Sequence, residues 1–200
     1  LLSNQRSFRL VIDKTQKIFD DNIHHSGIYF FRGYAHHELG ELKAATPFYL
    51  KSIDLSSDVE ENDGYSWSKI QSAHNLTNIY FDLNLYDKCI DICNYNKVFF
   101  KNHSRMASNM NFYLNSLYQI AHCCYLKNTR PLTSDIHNML GKLQLFERQQ
   151  ECNTGIECIE EAISLVENRM SGNYVLYVDF LFIAGMLYLI MNKHTVAKSY

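Results

Sequence analysis

Three small residues recur at a fixed interval. Gly33, Thr77 and Ala121 each stand late in the first of two helix-patterned segments, with 44 residues from one to the next. Seven residues further on, Gly40, Asn84 and Asn128 fit turns. A fixed period of this size marks a helical solenoid, in which each helix pair buries its apolar face by stacking on its neighbours. Such a chain presents an extended concave surface to a partner and seldom carries chemistry. The expected class is therefore all-α: a right-handed superhelix of antiparallel helix pairs.

The segments between the rungs support this. Ser26 to Leu39 carries apolar residues at helical spacing and stops at Gly40, a natural helix C-terminus. Glu41 to Leu55 reads as the partner helix, and Pro47 within it must bend the helix or fall near its first turn. Ser7 to Phe19 reads as the tail helix of a preceding repeat. The period then fails, since the next small rung, Gly185, follows Ala121 by 64 residues. Residues 131–172 must therefore hold an extra helix or a rearranged pair, and Leu132–Gln149 and Cys152–Arg169 read as two helices. The expected organisation is one solenoid domain over 1–200, a fragment cut at both ends. Its repeats lie near 24–56, 63–102, 105–150 and 173–200, with an irregular stretch at 131–172. Gly33, Thr77 and Gly185 should each mark a close helix crossing.

Several function classes fall away. The formal net charge is −2 and the pI about 6.5, which gives no basic stripe for nucleic acid; DNA contact would need a module outside this segment. The longest apolar run, Phe180 to Met191, is too short to span a bilayer. Tyr174–Met191 instead reads as a buried helix covered by both neighbours; were Tyr200 near the native terminus, its apolar patch would drive a homodimer. No basic-then-apolar leader is present. The six cysteines form no C-x-x-C pair and read as reduced thiols filling core positions, which implies a cytoplasmic protein. The nine histidines include no H-E-x-x-H, so no metal is expected. Cys123 and Cys124 beside His122 cannot readily meet it along one helix, and nothing supplies an oxyanion hole. Neither a phosphate loop nor a dinucleotide fingerprint occurs, so the chain reads as a non-enzyme without cofactor.

Tyr29-x3-Gly33, Gly40-Glu41-Leu42 and Ala45-x3-Tyr49 together resemble a tetratricopeptide repeat. Ala73-x3-Thr77-x2-Tyr80 with Asn84-Leu85-Tyr86 is similar to a second copy, and Leu117-x2-Ile120-Ala121-x2-Cys124 begins a third. Phe182-x2-Gly185-x2-Tyr188 with Asn192-Lys193-His194 gives a fourth. The resemblance implies that the first helix of each pair lines a groove. On that groove it puts Phe30, Tyr34 and His37, then Gln71, His74, Asn78 and Phe81, then Asn115, Tyr118, His122 and Tyr125. The implied peptide-binding set is Tyr34, His37, His74, Asn78, Phe81, Asn115, Tyr118 and His122. Asn amides can pair with peptide backbone, and Tyr adds apolar area with one polar tip. Taken singly, each also fits a half-buried helix residue whose polar end is satisfied. The Lys and Arg of a carboxylate clamp are replaced by Phe30, Tyr34 and His74.

Tyr29-Phe30-Phe31-Arg32-Gly33-Tyr34 followed by Glu38-Leu39-Gly40 resembles, more narrowly, the receptor domains of the Rgg, Rap, NprR, PlcR and PrgX regulators of Gram-positive bacteria. That resemblance implies a groove for a short signalling peptide, with Asn78 and Asn115 clamping its backbone. Two alternatives remain open: a constitutive protein-interaction scaffold, and the receptor part of a Rap-like response-regulator phosphatase.

Overall fold

The computed structural model describes residues 2–21, 25–56, 67–102, 110–129, 139–169 and 174–200. Among them regular structure is helical throughout: α1 (Leu2–Asp20), α2 (Ser26–Glu38), α3 (Leu42–Leu55), α4 (Trp67–Asp82), α5 (Tyr86–Asn102), α6 (Met110–Asn128), α7 (Met139–Arg169), α8 (Tyr174–Ile190) and the short α9 (His194–Ala197). The helices fall into two compact units, Leu1–Asn84 and Leu85–Tyr200.

In the first unit α2 packs on α1 and α3, and α4 lies against both α3 and α2. His25 caps α2, its Nδ1 accepting from the Gly27 amide at 3.1 Å. Gly40 ends the helix with φ +74, its amide donating to His37 and that of Glu41 to His36. This double bond satisfies carbonyls that a helix end otherwise leaves open. Gly33 sits where α2 and α3 cross: a Cβ there would lie 3.0 Å from the Tyr49 ring and 3.3 Å from Phe48 Cβ. Thr77, also expected at a crossing, is buried on α4 and turns its hydroxyl to the Ala73 carbonyl. Three buried serines tie the helices together, Ser52 donating to the Ser26 carbonyl at 2.9 Å and Ser68 meeting the Ser26 hydroxyl at 3.0 Å. Arg32 joins three helices. It donates to the Ile12 carbonyl on α1 at 3.2 Å, and its guanidinium lies 5.4 Å from the Phe19 ring and 5.0 Å from that of Phe48. Pro47 falls inside α3, beyond its first turn, on an exposed face.

The second unit stacks α5 on α6, α6 on α7 and α7 on α8, with α8 also against α6. Here two expectations give way. Residues 139–169 form one continuous helix of 31 residues, not two, because Gln149-Gln150-Glu151 contains no breaker. Residues 130–138 lie outside the described part. Asn128 makes no turn either. It is the last residue of α6, buried, and donates to the Cys124 carbonyl at 2.8 Å and to Glu151 at 2.9 Å. Asn84 and Asn192 do take the left-handed conformation, each with φ 56.

The close crossing of this unit is at Gly155 on α7. A Cβ there would meet Cys124 Cβ at 2.9 Å and Leu187 Cδ1 at 3.1 Å. Gly185 makes only ordinary contacts, 3.6 Å and 3.7 Å, with residues of the C-terminal turn. All six cysteines are buried in this unit. The helix α8 is buried on one side only: Phe180, Ile183, Ala184 and Leu187 face inward, while Val178 and Phe182 are 62% and 60% exposed. Covering by both neighbours, expected from its place in a repeat, is therefore not what it has among the described residues. No helix among the described residues is long and apolar enough to cross a membrane.

Candidate peptide-binding surfaces

Within the first unit, Tyr49 organises the expected site residues. Its ring is fully buried beneath α2, but its hydroxyl reaches the seam between α2 and α4. There it accepts from Asn75 Nδ2 at 3.0 Å and lies 3.4 Å from His37 Nδ1. Burial pushes the Tyr49 pKa up, so the hydroxyl stays protonated. Tyr34 is 38% exposed on the same side of α2, its ring 6.0 Å from both Phe8 and Phe30. Burial and the Glu38 carboxylate that it bonds hold its pKa above the ordinary tyrosine value. Phe30, aligned with the groove, is instead buried; the more open aromatic is Phe31.

On α4, His74 and Asn78 stand one helical turn apart, with Asn78 Nδ2 3.4 Å from His74 Nε2. Burial alone depresses the His74 pKa. Gln71, His74, Asn75, Asn78 and Phe81 are all half-buried. This row of apolar bodies with polar ends can take backbone amides and aliphatic side chains of an extended chain.

The second unit carries its own row, along α6. Asn115, Tyr118, His122 and Tyr125 are half-buried at helical spacing. The Tyr118 and His122 rings lie 5.3 Å apart, those of His122 and Tyr125 6.3 Å, and Tyr118 rests 5.7 Å from Phe180 of α8. Burial, helped by Asp179, raises the Tyr118 pKa; burial also lowers that of His122, against the opposing pull of Cys89 and Asp179. Each unit thus gathers its own share of the expected residues: Tyr34, His37, His74, Asn78 and Phe81 in the first, Asn115, Tyr118 and His122 in the second.

The residues that sequence spacing missed are Glu38, Tyr49 and Asn75. Tyr49 stands in the second helix of its pair, which is not the groove helix, and only its length carries the hydroxyl across. Asn75 is one residue from His74, and its link to Tyr49 spans 26 positions. No local pattern announces either. Among the described residues no three His, Cys, Asp or Glu side chains converge as a metal site.

Residues 26–59 match the family model described as tetratricopeptide repeat. No protein of curated function matches the chain in sequence. Among solved structures, the chain is similar to a single-substitution variant of nearly identical TPR-like repeats from Podosopora anserina, assigned there to a kinesin light chain. The TM-score is 0.65 at 10% identity, covering 98% of this chain and 82% of that one. The parent repeats of that variant match with a TM-score of 0.59 at 10% identity, covering 100% and 90%. The chain accordingly has the all-α, tetratricopeptide-like fold, and a recognisable repeat of that protein-interaction class occupies residues 26–59.

Proposed function

We propose that this chain is a peptide-sensing module that grips a short signalling peptide, or an extended protein segment, along the first helices of its pairs. The observation that supports this is the row on α2 and α4. Tyr34, His37, His74 and Asn78 set polar ends beside the aromatic area of Phe81, with Tyr34 exposed and the others half-buried. Each amide that pairs with peptide backbone protects a hydrogen bond whose loss costs about 1–3 kcal/mol when the partner is left buried and unpaired. Asn115, Tyr118 and His122 give the second unit a row of the same chemistry. In this reading the module serves a cytoplasmic bacterial regulator of the Rgg, Rap and PlcR kind, and any DNA contact belongs to a module outside this segment.

The test is selection of random heptapeptides on the intact chain, followed by titration of an enriched peptide. Asn78→Ala or Asn115→Ala should weaken binding about 5- to 150-fold and leave the melting temperature nearly unchanged. Unaltered affinity in both, or a large loss of melting temperature, would place the recognition elsewhere. A second reading, a constitutive scaffold, is favoured by the open apolar row Val178, Phe182 and Leu189 on α8. It gains if binding is lost in Phe182→Ser and kept in Asn78→Ala.

A further inference from the structure

A side-chain amide has two faces, one that only donates and one that only accepts. Which face Asn78 shows to an incoming chain depends on what holds the other. Its Nδ2 lies 3.4 Å from His74 Nε2. An amide nitrogen carries no lone pair to give, so the ring nitrogen opposite must be bare. In that pairing His74 is a neutral imidazole with its proton on Nδ1. The half-buried setting of His74 favours the same neutral form, since burial penalises the charged one. With Nδ2 turned to the ring, Oδ1 faces away from it.

We propose that His74 is the positioning residue that fixes the Asn78 amide, so that Asn78 accepts a hydrogen bond from a backbone N–H of the bound peptide. This deepens the peptide-binding reading of the α2/α4 surface and rests on it. Protonation of His74 reverses the arrangement. Nε2 then donates, it draws Oδ1 inward, and Asn78 shows only N–H groups outward. A peptide N–H placed there loses its acceptor. Among the described residues, the titratable groups gathered at this seam include Tyr34, His37 and Glu38 of α2 and Tyr49 of α3. None of them contributes to the preference of His74 for the neutral form, which burial alone sets.

The experiment uses a heptapeptide enriched on the intact chain and a set of its analogues, each N-methylated at one backbone nitrogen. Against wild type, one analogue should bind about 5- to 150-fold more weakly, the effect of removing the N–H that Asn78 accepts. In His74→Phe the amide is no longer held by the ring and can turn either face outward, and that penalty should shrink. Affinity for the unmodified peptide should fall on acidification in wild type and fall less in His74→Phe, which keeps His37 and His122. An N-methyl penalty equal in the two proteins overturns the inference. Should His74→Phe fail to fold, nitrogen-15 chemical shifts of His74 in the free wild-type chain decide. A bare Nε2 at neutral pH supports the inference, and a proton on Nε2 overturns it, whatever the peptides do. If instead no N-methyl position matters and Asn78→Ala binds like wild type, the peptide-binding reading of this surface falls, and the ring-nitrogen shifts still judge the His74–Asn78 pairing on their own.

Discussion

The two units solve the same packing problem with different materials. In Leu1–Asn84 the close crossing is Gly33 against an aromatic ring, the turn is a left-handed glycine, and polar ties run through serines and Arg32. In Leu85–Tyr200 the close crossing is Gly155 against Cys124 and Leu187, and the position where a turn was due, Asn128, is the last helical residue of α6. The comparison teaches that the repeat is a constraint on spacing between helices more than on any one residue. A small side chain is needed wherever two axes approach, and either helix of a pair can supply it.

Glycine substitutions should break this comparison most sharply. Gly155→Ala must push a Cβ into Cys124 Cβ at 2.9 Å, an atom fixed to helix backbone. We expect a loss of about 2–3 kcal/mol from overpacking, read as a lower urea midpoint. Gly33→Ala meets the Tyr49 ring at 3.0 Å and Phe48 Cβ at 3.3 Å, so about 1 kcal/mol is expected, part of the strain being offset by helix propensity. Gly185→Ala has room and should stabilise by about 0.5–1 kcal/mol. A Gly155→Ala protein as stable as Gly185→Ala would sink the assignment of the second crossing.

The turn rungs should differ in sign. Asn84 sits at φ 56, where glycine is less strained, so Asn84→Gly should be neutral or stabilise by up to about 1 kcal/mol. Asn128 is helical and doubly bonded, so Asn128→Gly should lose about 2 kcal/mol. Equal effects at the two rungs would mean that they are the same kind of position.

A smaller effect concerns pH, through one histidine of each unit. Burial lowers the pKa of both His74 and His122. The unfolded chain therefore takes up these protons first as pH falls. Stability from both is complete above the unfolded value of about 6.5 and declines as pH drops from there through the folded values. Melting at about pH 7.5 and about pH 5.5 brackets that window; the drop between them should shrink in His74→Gln and in His122→Gln. A drop unchanged in both variants would show that neither site carries it.

Much of this was legible in the sequence, and for physical reasons. The α2–α3 pair was readable because Gly40 and Ala45-x3-Tyr49 encode a turn and a crossing locally. The all-helical class followed from repetition. What escaped was decided across the fold. Asn128 resembles a turn residue in sequence, yet Glu151, 23 positions away, holds it in the helix. Gly155 carries no signature because its partners come from α6 and α8. The apolar sequence of α8 does not say which side stays open, since hydrophobicity fixes how much a helix can bury but not what is there to cover it. For the candidate surfaces, the residues on α2, α4 and α6 were readable by alignment of the copies. The Tyr49–Asn75 link was not, because it joins two helices through a long side chain.

The distribution of thiols has a practical consequence. All six cysteines lie in the second unit and are buried. Burial pushes those of Cys124 and Cys152 up to about 12 and about 11, so these two are silent toward alkylating reagents until the helices part. Labelling of Cys124 and Cys152 in intact protein is then a clock that ticks only when α6 and α7 come open. Because the first unit contributes no sulfur to the signal, the same labelling experiment times the breathing of one half of the molecule with no probe added to either.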